Sequence, residues 1–166
     1  MKVTLLSLLF AFAAFSVAFA QTPRVTAEGK NISIAYGQPS KKGRVVLGTE
    51  ESAGLDKYGK IWRTGANKST EITFKKDGQF GGKSVKAGTY SLFTIPGEKQ
   101  WTIILNSVLG QSGAFDYDKN KGSDVLSVTV PAKKYPASAE KLTFTVSDKS
   151  VDLQWDKEGF SVPVKF

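Results

Sequence analysis

The fold is decided by the stretch KLTFTVSDKSVDLQW, residues 141–155. Apolar and polar residues alternate on both sides of a polar turn, and the apolar positions are Leu142, Phe144, Val146, Val151, Leu153 and Trp155. Successive side chains of a β-strand point to opposite faces of the sheet. The alternation therefore predicts two strands, each with one buried and one solvent-facing side, and the short turn makes them an antiparallel hairpin.

The same alternation recurs along the chain, in ISIAY at 32–36, LSVTV at 126–130 and FSVPVKF at 160–166. The stretch WTIIL at 101–105 is apolar on both faces, which indicates a central strand. Short alternating strands separated by Gly, Pro and Asp turns are typical of sandwiches. We expect one all-β domain over residues 21–166, a jelly-roll-like antiparallel β-sandwich of about 8–11 short strands.

Residues 1–20 have the layout of a secretory signal peptide. Lys2 precedes an apolar run, and the run ends in the small-residue site Ala18-Phe19-Ala20. No later segment is apolar enough to cross a membrane as a helix. The sequence therefore predicts cleavage after Ala20 and export to the periplasm or beyond the cell.

Composition excludes several classes of site. The chain has no histidine and no cysteine, so it lacks the residues of a Ser-His-Asp triad, a cysteine nucleophile, a disulfide or a typical zinc site. The net charge is +8, but the basic residues are mostly scattered lysines. Nucleic-acid faces usually cluster their basic residues with aromatic ones. We expect no nucleic-acid partner, no cofactor, and a monomeric or weakly associating protein.

Polar residues with binding chemistry concentrate around the stretch WRTGANKSTE, residues 62–71. Arginine offers a planar fork of donors that suits a carboxylate or a phosphate. Amide, hydroxyl and carboxylate groups nearby suit a sugar. We predict a non-catalytic site for a glycan or an acidic small molecule, formed by Tyr58, Arg63, Asn67, Thr70 and Glu71.

Strand register decides which of these residues act together. A hairpin with an odd-length loop buries Trp62 beside Ile72 and places Arg63 on the same face as Glu71. The sequence predicts that arrangement. A purely structural pair of Arg63 with Glu71 across a tight turn is the alternative to a ligand site.

Two further functions stay open at this point. A glycan hydrolase needs only a pair of carboxylates, and Glu71 with Asp116 or Asp118 would supply one. A protein-interaction domain would instead use the exposed edge of a strand. The first predicts turnover of a polysaccharide, and the second does not.

A calcium site is a separate hypothesis for the longest irregular stretch, residues 107–122. Asp116, Asp118 and Asn120 place oxygen side chains at alternate positions, as calcium loops do. The spacing departs from an EF-hand, because the glycine falls one place late and Ser127 stands where the closing glutamate belongs. Neighbouring lysines also oppose a cation.

Several motifs together resemble one known family. They are QPS at 38–40, YGKIWRTGAN at 58–67, AGTYSLFTIPG at 87–97, WTIILN at 101–106 and GAFDYD at 113–118. The sequence is similar in these motifs to the bacterial secreted family catalogued as domain of unknown function twenty-nine eleven. That resemblance implies an exported bacterial domain and assigns no catalytic residues.

Overall fold

The computed structural model describes residues 22–166, so the predicted signal peptide, residues 1–20, lies outside the described residues. The eleven strands are β1 Arg24–Glu28, β2 Ile32–Gly37, β3 Leu47–Gly48, β4 Asp56–Lys57, β5 Thr70–Phe74, β6 Gly78–Phe80, β7 Lys83–Val85, β8 Gly88–Ile95, β9 Gln100–Asn106, β10 Asp124–Val146 and β11 Ser150–Lys165. A short α-helix, α1 (Tyr117–Asn120), lies between two 3-10 turns, Gly113–Asp116 and Lys121–Ser123.

Nine strands form one antiparallel sheet in the order β1-β2-β5-β8-β9-β10-β11-β6-β7. The first part of β10 pairs with β9 as far as Pro131, and its later part pairs with β11 from Ala132 onward. This change of partner lets β10 belong to both layers of the sandwich. The all-β sandwich is confirmed, but β10 and β11 are much longer than the short strands predicted.

The one parallel pair of strands in the described part of the chain is β3 with β4. They form a separate two-stranded sheet, in which Leu47 pairs with Asp56. The antiparallel prediction did not include this pair, because strands of two residues carry no alternation.

The core lies between the two layers and is built from the alternating residues. Leu142, Phe144, Leu153 and Trp155 are all buried, as the alternation over residues 141–155 predicts. Trp62 stacks on Trp155 with ring centroids 5.9 Å apart. Aromatic stacking of this kind joins segments that are distant in sequence.

The outer face of β8 and β9 is also apolar, as predicted for a central strand. Phe93 is fully buried and Ile104 nearly so. Residues 107–123 fold over this face, and the ring of Tyr117 lies 5.0 Å from that of Phe93. Their 3-10 and α turns were not predicted, because such short helices show no 3.6-residue period.

Candidate binding site

The turn after Trp62 has an unusual backbone. Trp62 exchanges two backbone hydrogen bonds with Thr94, of 2.7 and 2.9 Å. Thr64 and Asn67 then both adopt the left-handed conformation, with φ of 58° and 64°. This conformation is rare for a β-branched residue such as Thr64 and persists only where the surroundings fix it. Here the Thr64 hydroxyl lies 3.0 Å from that of Thr94.

Two glycines allow this turn to lie directly against the end of β2. A Cβ atom on Gly37 would stand 2.1 Å from the carbonyl oxygen of Ala66, and one on Gly65 would stand 2.9 Å from that of Gly37. Only glycine permits such close approach of two backbones. The result is that Ala66, Asn67 and Lys68 lie beside the start of β1.

A cleft of about 400 Å³ forms where the turn meets β1, and we call it the first cleft. It is lined by Thr22, Pro23, Arg24, Gly37, Ala66, Asn67 and Lys68. Its volume lies in the range of small-molecule sites. The Asn67 amide donates to the Thr22 carbonyl oxygen at 3.2 Å, which ties the two walls together.

Arg24 is the charged group whose position in the first cleft is fixed by hydrogen bonds. Its Nη1 donates to the Ser69 carbonyl oxygen at 3.3 Å, and its Nη2 lies 3.2 Å from Glu71 Oε2. A guanidinium has five N–H donors, so these two bonds leave others for a ligand. Ser69 and Glu71 thus hold the Arg24 guanidinium in place while some of its N–H donors stay available for a ligand.

The family is decided by a comparison over almost the whole described chain. The family model described as protein of unknown function (DUF2911) matches residues 19–164. The chain belongs to this family. The resemblance seen in its motifs is thereby confirmed. No curated protein and no solved structure matches the chain.

The structure of this DUF2911 protein separates the five predicted binding residues. Asn67 lines the first cleft, and Glu71 reaches it through its pair with Arg24. Thr70 is fully buried, and its hydroxyl donates to the Thr64 carbonyl oxygen at 2.8 Å, which stabilises the turn. Tyr58 donates to Glu158 at 2.6 Å, and burial followed by this hydrogen bond raises the pKa of the tyrosine.

The predicted pair of Arg63 with Glu71 is wrong. Arg63 Nε donates to the Gly65 carbonyl oxygen at 3.2 Å, while Glu71 pairs with Arg24. A Cβ on Gly113 would lie 2.7 Å from Arg63 Nη1. The arginine therefore packs against residues 107–123, which contain the short helical turns and which we call the helical segment. The burial of Trp62 was predicted correctly, but β1 brings a competing arginine to Glu71 from outside the hairpin.

Sequence reasoning also missed Arg24, Lys68, Thr22 and Pro23 as lining residues. Arg24 stands 47 positions before Glu71, and only the pairing of β1 with β2 brings them together. The available signal was the rarity of arginine, since the chain has only three. The sequence also did not indicate that Asp56 has an unusual pKa. Burial raises the pKa of Asp56 to about 6, although the nearby positive charge of Arg63 lowers it.

The three residues of the calcium hypothesis lie in the helical segment of the DUF2911 protein. Asp116 Oδ2 accepts the Ser112 N–H at 2.8 Å, and the Asn120 amide donates to the Asp116 carbonyl oxygen at 3.0 Å. Asp118 is exposed. Within residues 22–166, no group of three or more acidic side chains is arranged to hold a metal ion. Calcium binding stays a prediction.

A buried amide network fixes the same segment to the sheet. Asn106 is fully buried, and its amide donates to the Asn120 carbonyl oxygen at 2.7 Å and to Asp124 at 2.8 Å. Its own oxygen accepts from Val108 N–H and from the Gln111 amide. Buried polar groups with every partner present stabilise one conformation. Residues 107–123 are therefore held to the sheet by this network.

Proposed function

We propose that this DUF2911 protein is an exported, non-catalytic module that binds a glycan or a small molecule bearing an acidic group. The observation that carries the proposal is the position of Arg24 in the first cleft. Its guanidinium is oriented by Ser69 and Glu71 while further donors remain available. A carboxylate or a phosphate group is the natural partner for such a fork.

The other lining residues support a polar ligand of modest size. Lys68 is exposed and adds a second positive charge. Pro23 and Ala66 provide apolar surface, as carbon atoms of a sugar or a small acid require. The strained backbone at Asn67 lies within the lining, and such strain often marks functional positions.

The contacts of Glu71 favour binding over hydrolysis. Its Oε2 lies beside Arg24, and its Oε1 accepts the Gly110 N–H at 3.3 Å. A carboxylate that is held by a cation orients that cation for a ligand. A hydrolase would instead need this group to exchange protons or attack substrate.

Binding can be tested with D-galacturonate, a sugar that carries one carboxylate. We expect it to bind the exported chain, and Arg24→Gln to weaken binding about tenfold or more, as loss of a charged hydrogen bond implies. Lys60→Gln is the matched control, because it also removes one cation from a surface ion pair. Equal weakening by both variants, or no binding by the wild type, would overturn the proposal.

Export is tested independently of binding. The positive start, apolar run and Ala18-Phe19-Ala20 site support cleavage after Ala20. We expect the protein recovered outside the cytoplasm of a bacterial host to begin at Gln21 by mass spectrometry. Recovery of the uncleaved chain in the cytoplasm would contradict export. Within residues 22–166 no helix is both long and apolar enough to span a membrane.

A further inference from the structure

A second cleft, of about 230 Å³, adjoins the first. It is lined by Thr22, Pro23, Gln38, Pro39, Ser40, Lys42 and Arg44. Thr22 and Pro23 line both clefts. The Pro23 carbonyl oxygen accepts the Gln38 N–H at 2.9 Å, so the ridge between the clefts is fixed to the end of β2.

The second cleft repeats the charge of the first. Arg44 donates through Nε to the Lys41 carbonyl oxygen and through Nη2 to that of Ser40, both at 2.9 Å. These bonds orient its guanidinium as Ser69 and Glu71 orient that of Arg24. Lys42 adds a cation from a left-handed backbone position, with φ of 48°. Two of the three arginines of the chain therefore line the two adjoining clefts.

The segment that carries Lys42 and Arg44 is attached firmly to the sandwich. Lys41 Nζ lies 2.7 Å from Asp156, and Ser40 pairs with Lys141 of β10. The Lys42 N–H donates to Glu140 at 2.8 Å. These contacts fix the backbone that carries the cations of the second cleft.

Charge balance across the two clefts favours an anion with more than one charge. Arg24, Lys68, Lys42 and Arg44 line them, and among residues 22–166 no aspartate or glutamate does. Two carboxylates contact lining residues, Glu71 through its pair with Arg24 and Glu140 by accepting the Lys42 N–H. Clefts lined by cations on both sides of a ridge raise the local concentration of a linear polyanion.

We propose that the two clefts form one extended site for an acidic polysaccharide, with the Pro23 ridge between two anion-binding subsites. The inference rests on the proposed function and deepens it. Carboxylates on separate sugar units occupy the Arg24 and Arg44 subsites, and the binding gain comes from linking two weak contacts in one ligand. Single-stranded nucleic acids usually stack their bases on aromatic side chains, and no aromatic residue is among those that line the clefts.

The test compares D-galacturonate with its linear hexamer on the wild type and two variants. We expect the hexamer to bind at least about tenfold more tightly than the monomer. Lys42→Gln should weaken hexamer binding several-fold and leave monomer binding within about twofold. Arg44→Gln should act in the same direction and more strongly, and Lys42→Gln remains informative if the Arg44 turn does not fold without its two hydrogen bonds.

The outcomes separate the extension from the proposed function. If Arg24→Gln weakens both ligands and neither second-cleft variant weakens the hexamer, the single site stands and the extended site is wrong. If Arg24→Gln weakens neither ligand, both proposals fail. Equal binding of maltohexaose, which is uncharged, or tighter binding of a hexadeoxythymidylate would each overturn the acidic polysaccharide.

Discussion

The guanidinium of Arg24 on β1 and the carboxylate of Glu71 on β5 lie 3.2 Å apart, although β2 runs between their strands. Arg24 is opposite Gly37, and Glu71 is opposite Ala35. These two β2 residues are too small to block the path between the longer side chains. The pair thereby places a positioned cation at the edge of the first cleft.

Replacement of Glu71 by glutamine tests what the pair does. Glu71→Gln keeps an oxygen that accepts hydrogen bonds from Arg24 and the Gly110 N–H, so it retains the orientation of the guanidinium, and it removes the negative charge that competes with a ligand for Arg24. We expect D-galacturonate to bind several-fold more tightly by calorimetry, and the free energy of unfolding to fall by at most about 1 kcal/mol, as for other exposed pairs. Weaker binding in this variant would show that the Glu71 charge is needed, either to hold Arg24 in position or to contact the ligand itself.

Hydrolysis gives the same variant a second readout. If the wild type cleaves the galacturonate hexamer and Glu71→Gln abolishes cleavage, a carboxylate-dependent hydrolase replaces the binding module. We expect no new reducing ends from either protein. Glu28→Gln is the matched control, since Glu28 also forms an ion pair on β1, with Lys75.

Strand alternation predicted the core of this protein but not the neighbours of each strand. The alternating positions of Leu142, Phe144, Leu153 and Trp155 were sufficient to predict that they lie in the core. The partner of Glu71 depends on the order β1-β2-β5, which brings together segments that are distant in sequence. The alternation of apolar and polar residues determines the face of the sheet on which a side chain lies, and the order of the strands determines which side chains lie beside it.

The candidate site was predicted in part for the same reason. Asn67 belongs to a local turn whose residue types are visible in the sequence. Arg24, Pro23 and Arg44 come to the clefts only through pairing of β1 with β2 and through docking of residues 38–44 on β10. No local pattern contains that information.

Gly113 tests the packing of Arg63 against the helical segment. Gly113 and Gly110 have similar left-handed φ angles of 66° and 68°, but only a Cβ on Gly113 meets Arg63, at 2.7 Å from Nη1. Gly110→Ala should cost about 1–2 kcal/mol of unfolding free energy through backbone strain alone. Gly113→Ala should cost about 1 kcal/mol more in urea unfolding, because Arg63 has to move.

A double variant provides the control for this comparison. In the background Arg63→Ala, the cost of Gly113→Ala should fall to that of Gly110→Ala, since the clash is then absent. An unchanged cost would mean that Arg63 yields freely and that the contact has no energetic weight.

Asn106 is the residue on which the helical segment most depends. Asn106→Ala removes a fully buried side chain and the four hydrogen bonds that it makes with the Asn120 carbonyl oxygen, Asp124, the Val108 N–H and the Gln111 amide. We expect a loss of about 2–4 kcal/mol in unfolding free energy. Hydrogen exchange should accelerate over residues 108–123. Ser107→Ala removes one exposed bond to Ser123 and should change neither by much.

Slow hydrogen exchange over residues 108–123 in Asn106→Ala would contradict the role of the amide network. If exchange there is as slow in Asn106→Ala as in the wild type, packing of Tyr117 on Phe93 holds the segment without the amide network. The Ser107→Ala control shows how much a substitution next to Asn106 changes exchange by itself, because it leaves both the network and the ring contact intact.

Asp56 makes stability depend on pH in a particular direction. Burial raises its pKa in the folded protein from 3.8 to about 6. The folded state therefore holds a proton that the unfolded state releases, and this contribution is lost as the pH rises from about 4 through 6. Asp56→Asn should raise the unfolding free energy at pH 7 by up to about 3 kcal/mol and flatten that decline.

Asp77 gives the matched comparison of opposite sign. A hydrogen bond from Lys86 holds the pKa of Asp77 below its ordinary value, so its contribution is present at neutral pH and is lost in acid. Asp77→Asn should therefore lower stability at pH 7 and reduce the loss below pH 4. Equal pH profiles for Asp56→Asn and the wild type would show that Asp56 titrates normally.

Binding of an acidic ligand in the first cleft is measured most directly by an amide-resolved NMR titration with D-galacturonate. We expect saturable chemical-shift changes concentrated at Thr22, Arg24, Asn67 and Lys68, which Arg24→Gln removes. Shifts spread over the scattered lysines, or concentrated at residues 113–120, would contradict it.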